Sequence, residues 1–263
     1  MQQNKKFKLV SSKKTRYLLP NILTIGGVCL GISSIKFSLD GNYSIAVIFI
    51  LLASILDALD GRIARLIKGT SEFGKELDSL TDFVSLGIAP VFILYFWELN
   101  KYGKLGWAIT LIYSVCCVLR LARFNLTKIN NQQAWKNNFF EGVPSPAGGI
   151  LILMPLIFEL ADFNFNFDIK NITPYFTILI AVLLVSKIPT LSLKKISISP
   201  KTTAFILLGI GITFIFLLYF TFETLFIFGL IYLISIPVSF FLYKIQSKKE
   251  TLETFDEEHE DVL

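Results

Sequence analysis

The chain has 263 residues, of which 53% are hydrophobic and 17% are charged, and its formal net charge is +5. A soluble domain carries about 25% charged residues, so this composition excludes an ordinary cytosolic enzyme and a disordered scaffold. The three cysteines lie in apolar runs and form no C-x-x-C pair, which argues against a disulfide framework or a structural zinc site. The sequence predicts an all-α polytopic membrane protein.

Eight apolar runs are long enough to cross a bilayer, for which roughly 20 residues are needed. They are residues 21–39, 43–60, 76–98, 105–124, 146–162, 174–190, 203–221 and 223–243. We expect helices rather than strands, because lipid offers an open backbone no hydrogen-bond partner. The run 146–162 is short and contains Pro155. An even number of spans places both termini on one side of the membrane.

The basic residues indicate which side that is. Of the 25 lysines and arginines, 21 lie at the chain ends or in connections on the same side as the termini, and four lie opposite. Because positive charge accumulates in cytoplasmic loops, we expect both termini in the cytoplasm and the protein in the cell (inner) membrane. The net charge follows this membrane pattern, so no nucleic-acid partner is expected.

Both ends of the chain are polar. Residues 1–20 combine six basic side chains with several apolar ones, and they are expected to form either an interfacial helix on anionic headgroups or a disordered leader. They lack the architecture of a cleavable signal. Residues 244–263 are expected to form a polar acidic tail, disordered from Glu250 onward, where seven residues are acidic.

Four aspartates flank the connection between the second and third runs. Asp57 and Asp60 are three residues apart at the end of one predicted helix. Asp78 and Asp82 are four residues apart at the start of the next. Each spacing places its pair on one helix face. The intervening stretch is polar and basic, so the two helices can fold back and bring the four carboxylates together at the membrane surface.

Such a cluster is typical of a metal site. Carboxylates on one face of a helix and less than two turns apart ionise together only when cations lie among them. Hard oxygen ligands without His or Cys favour Mg²⁺ or Mn²⁺, and Mg²⁺ often shares its coordination with substrate phosphates. A pyrophosphate or phosphodiester is therefore the natural substrate, and two ions would clamp the attacking and leaving oxygens. The alternative is that the four aspartates are loop carboxylates at the helix ends that pair with Arg62 and Arg65.

The neighbouring residue types fit phosphate chemistry. Gly61 would allow the backbone and a ligand to approach closely, and Arg65 can bind a phosphate. Thr70 and Ser71 offer hydroxyl donors. Asp82 is the candidate base for the acceptor hydroxyl, since the only histidine lies in the acidic tail. We therefore expect direct transfer without a covalent enzyme intermediate.

The aspartates belong to a longer pattern, D-x2-D-G-x2-A-R-x8-G-x3-D-x3-D. In this chain it consists of Asp57, Asp60, Gly61, Ala64, Arg65, Gly74, Asp78 and Asp82. The pattern matches the signature of the CDP-alcohol phosphotransferases without a departure, and the hydropathy of most of the chain resembles that family's helical membrane domain. The family core has six helices, which here correspond to residues 21–190, and residues 191–243 form an additional helix pair.

The resemblance implies a role for each position. The family binds a CDP-linked lipid with two divalent metal ions and forms a homodimer. The metal ligands would be Asp57, Asp60 and Asp78, with Asp82 as a metal-proximal base. The CDP moiety would contact Gly61, Arg65, Ser71 and Gly74. Asn21 and Thr24, at the start of the first helix, resemble a second nucleotide contact, although helix capping explains them equally well.

Three segments bear on the acceptor alcohol. Phe83 follows the fourth aspartate, where glycerophosphate-using members of the family tend to carry Lys. The other two segments are residues 120–125, which read RLARFN, and residues 142–147, which read GVPSPA. Together they resemble the integral-membrane phosphatidylserine synthases, apart from a Leu in Ser85-Leu-Gly where Phe is expected. This implies CDP-diacylglycerol and L-serine as substrates.

A zwitterionic amino acid needs a cation for its carboxylate. Arg120 and Arg123 could supply it, with Asn125 as a further contact. Alternatively, both arginines only follow the positive-inside rule or bind lipid phosphate. The acceptor could also be glycerol phosphate, inositol phosphate or choline. A cation-coupled transporter is the rival from another class, but transporter carboxylates lie near the midplane rather than at one rim.

Overall fold

The computed structural model describes residues 18–67, 69–127, 139–163, 168–191 and 200–260. Residues 1–17, which make up most of the predicted interfacial segment, lie outside these ranges. The helices are α1 (Leu18–Leu39), α2 (Tyr43–Leu66), α3 (Glu72–Asp82), α4 (Ala89–Trp97), α5 (Lys104–Thr127), α6 (Ser145–Leu151), α7 (Met154–Leu160), α8 (Thr173–Val185), α9 (Pro200–Tyr219) and α10 (Thr221–Glu260). A π turn (Phe83–Ile88) joins α3 to α4, and 3₁₀ turns cover Leu99–Tyr102 and Ile169–Ile172.

Several helices are long enough to cross a membrane. Within the described ranges, five segments meet the length and composition that a span requires: Leu18–Leu39, Tyr43–Leu66, Glu72–Trp97, Lys104–Leu126 and Thr221–Ile245. Ile169–Val185 and Phe205–Tyr219 are apolar but shorter. The chain is therefore an α-helical multi-pass membrane protein, as the composition predicts, whereas the count of eight spans is not confirmed.

Proline accounts for one of the differences. The predicted span 146–162 divides into α6, which ends at Leu151, and α7, which begins at Met154. Pro155 lies in the first turn of α7. Because proline has no N–H and its ring clashes with the preceding turn, a continuous helix through this position is disfavoured. The result is two helices of seven residues each.

Glycines on α1 bring its backbone against the π turn. A Cβ built on Gly31 would lie 2.7 Å from the Cα of Ser85, so no side chain fits there. The Ser85 hydroxyl donates to Gly27 O at 3.0 Å. Small residues allow helices in lipid to pack backbone against backbone. This contact fixes α1 beside Asp82, the residue that immediately precedes the π turn.

The chain also forms one short two-stranded antiparallel sheet within the described ranges. β1 (Phe139–Glu141) pairs with β2 (Pro189–Leu191), with Phe140 opposite Thr190. Gly142 follows β1 with φ of +76°, a value that favours glycine, and its N–H donates to Ile188 O at 2.9 Å. The sequence did not predict these strands, because each has three residues and lies in or beside a connection.

The last helix is longer than expected. Residues 223–243 were predicted as a span and residues 250–263 as a disordered tail, but the backbone is helical from Thr221 to Glu260. The prediction of a disordered tail was therefore wrong as far as Glu260. Glu, Lys, Gln and Leu are good helix formers, so a polar sequence can prolong a helix that the membrane has already nucleated.

Candidate active site

The aspartates of α2 and α3 meet in space. One carboxylate oxygen from each of Asp57, Asp60 and Asp78 lies within 4.8 Å of the others. The carboxyl group of Asp57 also interacts with that of Asp82. The short polar connection between the helices allows them to fold back, as the spacing predicts. Four carboxylates therefore converge at the junction of α2 and α3.

Two atoms in this cluster are incompletely satisfied. Within the part of the chain that the structure describes, Asp60 Oδ1 and Asp82 Oδ1 are buried and have no hydrogen-bond partner. Buried carboxylate oxygens are costly to leave unpaired, and several mutually repelling carboxylates are costlier still. A divalent cation would bind the unpaired oxygens and would also offset the repulsion between the carboxylates. The donor set of carboxylate oxygens fits a hard divalent cation well.

Thr24 orients one of these carboxylates. Its hydroxyl lies 2.5 Å from Asp60 Oδ2 and donates to it, and both residues are buried. This bond connects α1 to the end of α2 and fixes the position of the Asp60 side chain. A small cavity of about 10 Å³ lies beside it, lined in part by Thr24, Asp57 and Asp82. That volume is comparable to the space that one water molecule occupies.

A larger cavity of about 280 Å³ opens beside the aspartates. Its described lining is Pro20, Asn21, Thr24, Asp60, Gly61, Ala64, Arg65, Gly69, Thr70, Ser71, Gly74, Lys75 and Asp78. All seven residues predicted to contact the CDP-lipid are in this set. Two of the aspartates, Asp60 and Asp78, form one of its walls. The structure thus places two of the predicted metal ligands, Asp60 and Asp78, and the predicted nucleotide contacts around one space.

Local geometry explains why glycine and serine are needed here. Ser71 is the N-cap of α3, and its hydroxyl accepts a hydrogen bond from the Gly74 N–H at 2.9 Å. A Cβ on Gly74 would lie 3.1 Å from Asn21 Oδ1, so the missing side chain lets α1 approach α3. At Gly61 no described atom lies within 4 Å of a Cβ position, and the open space belongs to the cavity.

Lys75 is a cavity residue that the sequence analysis missed. It lines the cavity and forms an ion pair with Glu72 at 2.7 Å. Lys75 directly follows Gly74 in the stretch that joins the aspartate pairs, and this position could have identified it as a site residue. A cation here adds to Arg65 and makes the cavity more attractive to phosphate groups.

The predicted acceptor contacts on α5 are held by neighbouring elements. Arg120 Nε donates to Val143 O at 2.8 Å, and its Nη1 contacts the hydroxyl of Ser145. Arg123 Nη1 donates to Val185 O at 2.6 Å.

Asn125 Nδ2 lies 3.1 Å from Ser79 Oγ, which joins α5 to α3. Arg120 also interacts electrostatically with Asp57 and Asp82. The structure thus places Arg120 within electrostatic reach of the aspartates, whereas Arg123 joins α5 to α8 and Asn125 joins α5 to α3.

The comparisons with known proteins agree with this arrangement. The model of the family described as CDP-alcohol phosphatidyltransferase matches residues 17–241. A Mycobacterium tuberculosis protein is 36% identical over 196 residues, which cover 74% of this chain and 68% of the relative. A Helicobacter pylori protein is 32% identical over 199 residues, which cover 76% of this chain and 82% of the relative.

An archaeal relative matches a smaller part of the chain. A Methanocaldococcus jannaschii protein is 39% identical over 104 residues, which cover 40% of this chain and 46% of that protein. All three relatives carry the name CDP-diacylglycerol–serine O-phosphatidyltransferase. The family match covers the aspartate cluster, the adjoining cavity and most of the membrane-spanning part of α10. The chain therefore belongs to the CDP-alcohol phosphatidyltransferase family.

Proposed function

We propose that the chain transfers the phosphatidyl group of CDP-diacylglycerol to the hydroxyl of L-serine, giving phosphatidylserine and CMP. The observation that carries this proposal is the cluster of four aspartates that adjoins the cavity lined by all seven predicted nucleotide contacts. The names of the relatives support serine as the acceptor. Phe83, in place of the Lys found in glycerophosphate-using members, supports the same choice.

Asp57, Asp60 and Asp78 would hold a divalent cation, and Asp82 would contribute to a second. We infer two ions, Mg²⁺ or Mn²⁺, from the oxygen ligands and from the resemblance to the family. When bound, such ions neutralise the pyrophosphate and make CMP a better leaving group. Thr24 positions the Asp60 carboxylate for this purpose through its 2.5 Å hydrogen bond.

The cavity residues would bind and orient the CDP moiety. Arg65 and Lys75 supply positive charge, and Asn21, Thr70 and Ser71 supply hydrogen-bonding groups around the same space. Gly61 leaves room beside Asp60 for the ligand to approach the helix backbone. Because the cavity adjoins the membrane-spanning part of α1 and α2, the acyl chains of the substrate can remain in lipid.

Asp82 would act as the base. Its buried Oδ1 accepts the proton of the serine hydroxyl while the serine oxygen forms a bond to the phosphorus of the phosphatidyl group. The bond from that phosphorus to the CMP oxygen breaks in the same displacement, and CMP leaves with the electron pair. Arg120 interacts electrostatically with Asp82 and offsets part of the negative charge of the cluster.

Serine would bind on the α5 side of the aspartates. Arg120, Arg123 and Asn125 are the proposed contacts. A guanidinium presents its N–H groups in a planar fork that matches a carboxylate, and Arg120 also interacts electrostatically with Asp57 and Asp82.

The charge distribution supports a cytoplasmic site. We propose that both termini and the aspartate cluster face the cytoplasm in the cell (inner) membrane. Residues 21–190 would form the catalytic core and residues 191–243 a helix pair packed on it. A homodimer is inferred from the family resemblance.

The direct test uses purified protein in detergent with CDP-diacylglycerol and labelled L-serine. Labelled phosphatidylserine and CMP should appear with Mn²⁺ or Mg²⁺ and disappear with EDTA. Asp78→Asn should abolish transfer, whereas Asp40→Asn, at the far end of α1, should retain wild-type activity. CMP release that requires another alcohol would reject serine, and full activity of Asp78→Asn would reject the site.

A further inference from the structure

The last helix presents a buried face to the core. Leu225, Ile236 and Ser239 on α10 are buried, and Gly229 and Tyr232 lie between them at helical spacing. A Cβ on Gly229 would lie 2.1 Å from the sulfur of Met154, so α10 packs closely on α7 at this point. This packing turns the side chain of Tyr232 toward the interior, where it contacts the apolar core.

Arg120 connects this face of α10 to the aspartates. The guanidinium interacts electrostatically with Asp82 and with the hydroxyl groups of Tyr113 and Tyr232. Its Nε and Nη1 are occupied by Val143 O and Ser145 Oγ. These two bonds hold the guanidinium in place, and its Nη2 makes no hydrogen bond within the part of the chain that the structure describes, so it is available to a ligand.

The two tyrosine hydroxyls that interact electrostatically with Arg120 have no hydrogen-bond partner among the described residues. They belong to Tyr113 and Tyr232, and both oxygen atoms are buried. Thr190 lies beside the Tyr232 hydroxyl, but it donates to Gly142 O at 2.9 Å, and the two hydroxyls do not meet with hydrogen-bond geometry. Buried hydroxyls in native proteins are rarely unpaired, so each of the two is expected to meet a ligand or a water molecule.

The chemistry of this group selects an anion. A guanidinium and two hydroxyls offer donors to a negative group, and hydrogen bonds to a charged acceptor are stronger than neutral ones. L-Serine carries its carboxylate on the carbon next to the one that bears its hydroxyl. A serine whose hydroxyl reaches Asp82 would therefore place its carboxylate close to that base, where Arg120 lies.

We infer that Tyr232, together with Arg120, binds the carboxylate of the amino-acid acceptor, so that α10 supplies part of the acceptor site. This inference rests on the proposed serine transferase function. It gives α10 a chemical role, whereas hydropathy alone makes α10 an additional span. Tyr113, on α5, would supply a second hydroxyl to the same carboxylate.

The test replaces one hydroxyl and nothing else. Tyr232→Phe should raise the KM for L-serine about tenfold or more, because a hydrogen bond to a charged group contributes roughly 1.5–3 kcal/mol. The KM for CDP-diacylglycerol should stay within about twofold of the wild-type value. Tyr219→Phe on α9 is the matched control, since that side chain is 80% exposed. The thermal midpoint of each variant shows that it is folded.

A second acceptor separates carboxylate recognition from a general defect. L-Serinamide keeps the reacting hydroxyl and the ammonium group but has no negative charge. The ratio of kcat/KM for L-serine to that for L-serinamide should fall about tenfold or more in Tyr232→Phe. An unchanged ratio, or an equal loss with both acceptors, overturns the inference while leaving the serine transferase function intact. A wild-type protein that does not use serine overturns both, and this is visible before any variant is made.

Discussion

At the scale of single residues, the chemistry depends on groups that hold the aspartates in place as much as on the aspartates. Asp60 is buried at the end of α2, and its orientation is set by a hydroxyl from α1. The spacing of the aspartates predicted the cluster. The partner of Asp60 could not be assigned, because Thr24 is distant in sequence and capping explained it equally well.

Thr24→Val tests that partner. The variant keeps the shape of the side chain but removes the donor to Asp60, so the carboxylate loses its fixed orientation. Loss of such an outer partner commonly weakens metal affinity about 10–100-fold. We expect half-maximal activity to require about tenfold more Mn²⁺, measured by titration of the purified enzyme.

The conservative control is Thr24→Ser, which retains the hydroxyl. It should titrate within about twofold of the wild-type protein. Equal Mn²⁺ requirements for the valine and serine variants would show that the hydrogen bond does not act on the metal site.

Gly61→Ala separates stability from binding. Alanine is more favourable than glycine inside a helix by about 1 kcal/mol, and a Cβ at this position meets no described atom within 4 Å. We expect a higher thermal midpoint. Because Gly61 lines the cavity, an added methyl group should obstruct the ligand, and the KM for CDP-diacylglycerol should rise about tenfold, a loss of roughly 1.4 kcal/mol. An unchanged KM together with a higher thermal midpoint would show that Gly61 does not contact CDP-diacylglycerol.

At the scale of helices and strands, apolar length predicted α1, α2 and α5 well, because one uninterrupted run produces one span. The length of the apolar runs did not predict the break in the helix near Pro155, which has a local cause. It also did not predict β1 and β2, which are too short to show a hydrophobic period. The π turn after Asp82 left no signal, since its residues are as apolar as those of α4. The predicted nucleotide contacts from Gly61 to Gly74 line one cavity because their motif is local in sequence, and their role in binding stays a prediction.

The contact between α1 and the π turn gives a prediction of its own. Gly31→Ala places a methyl group 2.7 Å from the Ser85 backbone, and over-packing of this kind costs about 1–3 kcal/mol. We expect a lower thermal midpoint and lower activity, because Asp82 adjoins the displaced turn.

Gly209→Ala on α9 is the matched change, since no described atom lies within 4 Å of its Cβ position. It should be neutral or stabilising. If the two variants unfold at the same temperature, the close approach of α1 to the π turn is not important for stability.

At the scale of the whole molecule, the arrangement of charge makes a prediction about topology. Lys75 lies beside the aspartates at the start of α3, whereas Lys101 follows α4 at the other end of the same span. Lys75→Cys should react with a membrane-impermeant maleimide only in inside-out vesicles, and Lys101→Cys only in intact cells. The opposite pattern would place the active site outside the cytoplasm. The native cysteines lie in spanning helices, where such reagents label poorly.

The position of Asp82 also constrains how many residues the third span can contain. An α-helix advances about 100° per residue, since it has roughly 3.6 residues per turn. Removal of one residue from the α-helical stretch Ala89–Trp97 would therefore rotate Asp82 by about that angle relative to the far end of the span, and carry it away from Asp57. The bilayer would accept the shortened helix by a small change in tilt. Insertions and deletions of single residues in this span should therefore still allow the protein to insert into the membrane. They should nevertheless abolish phosphatidyl transfer.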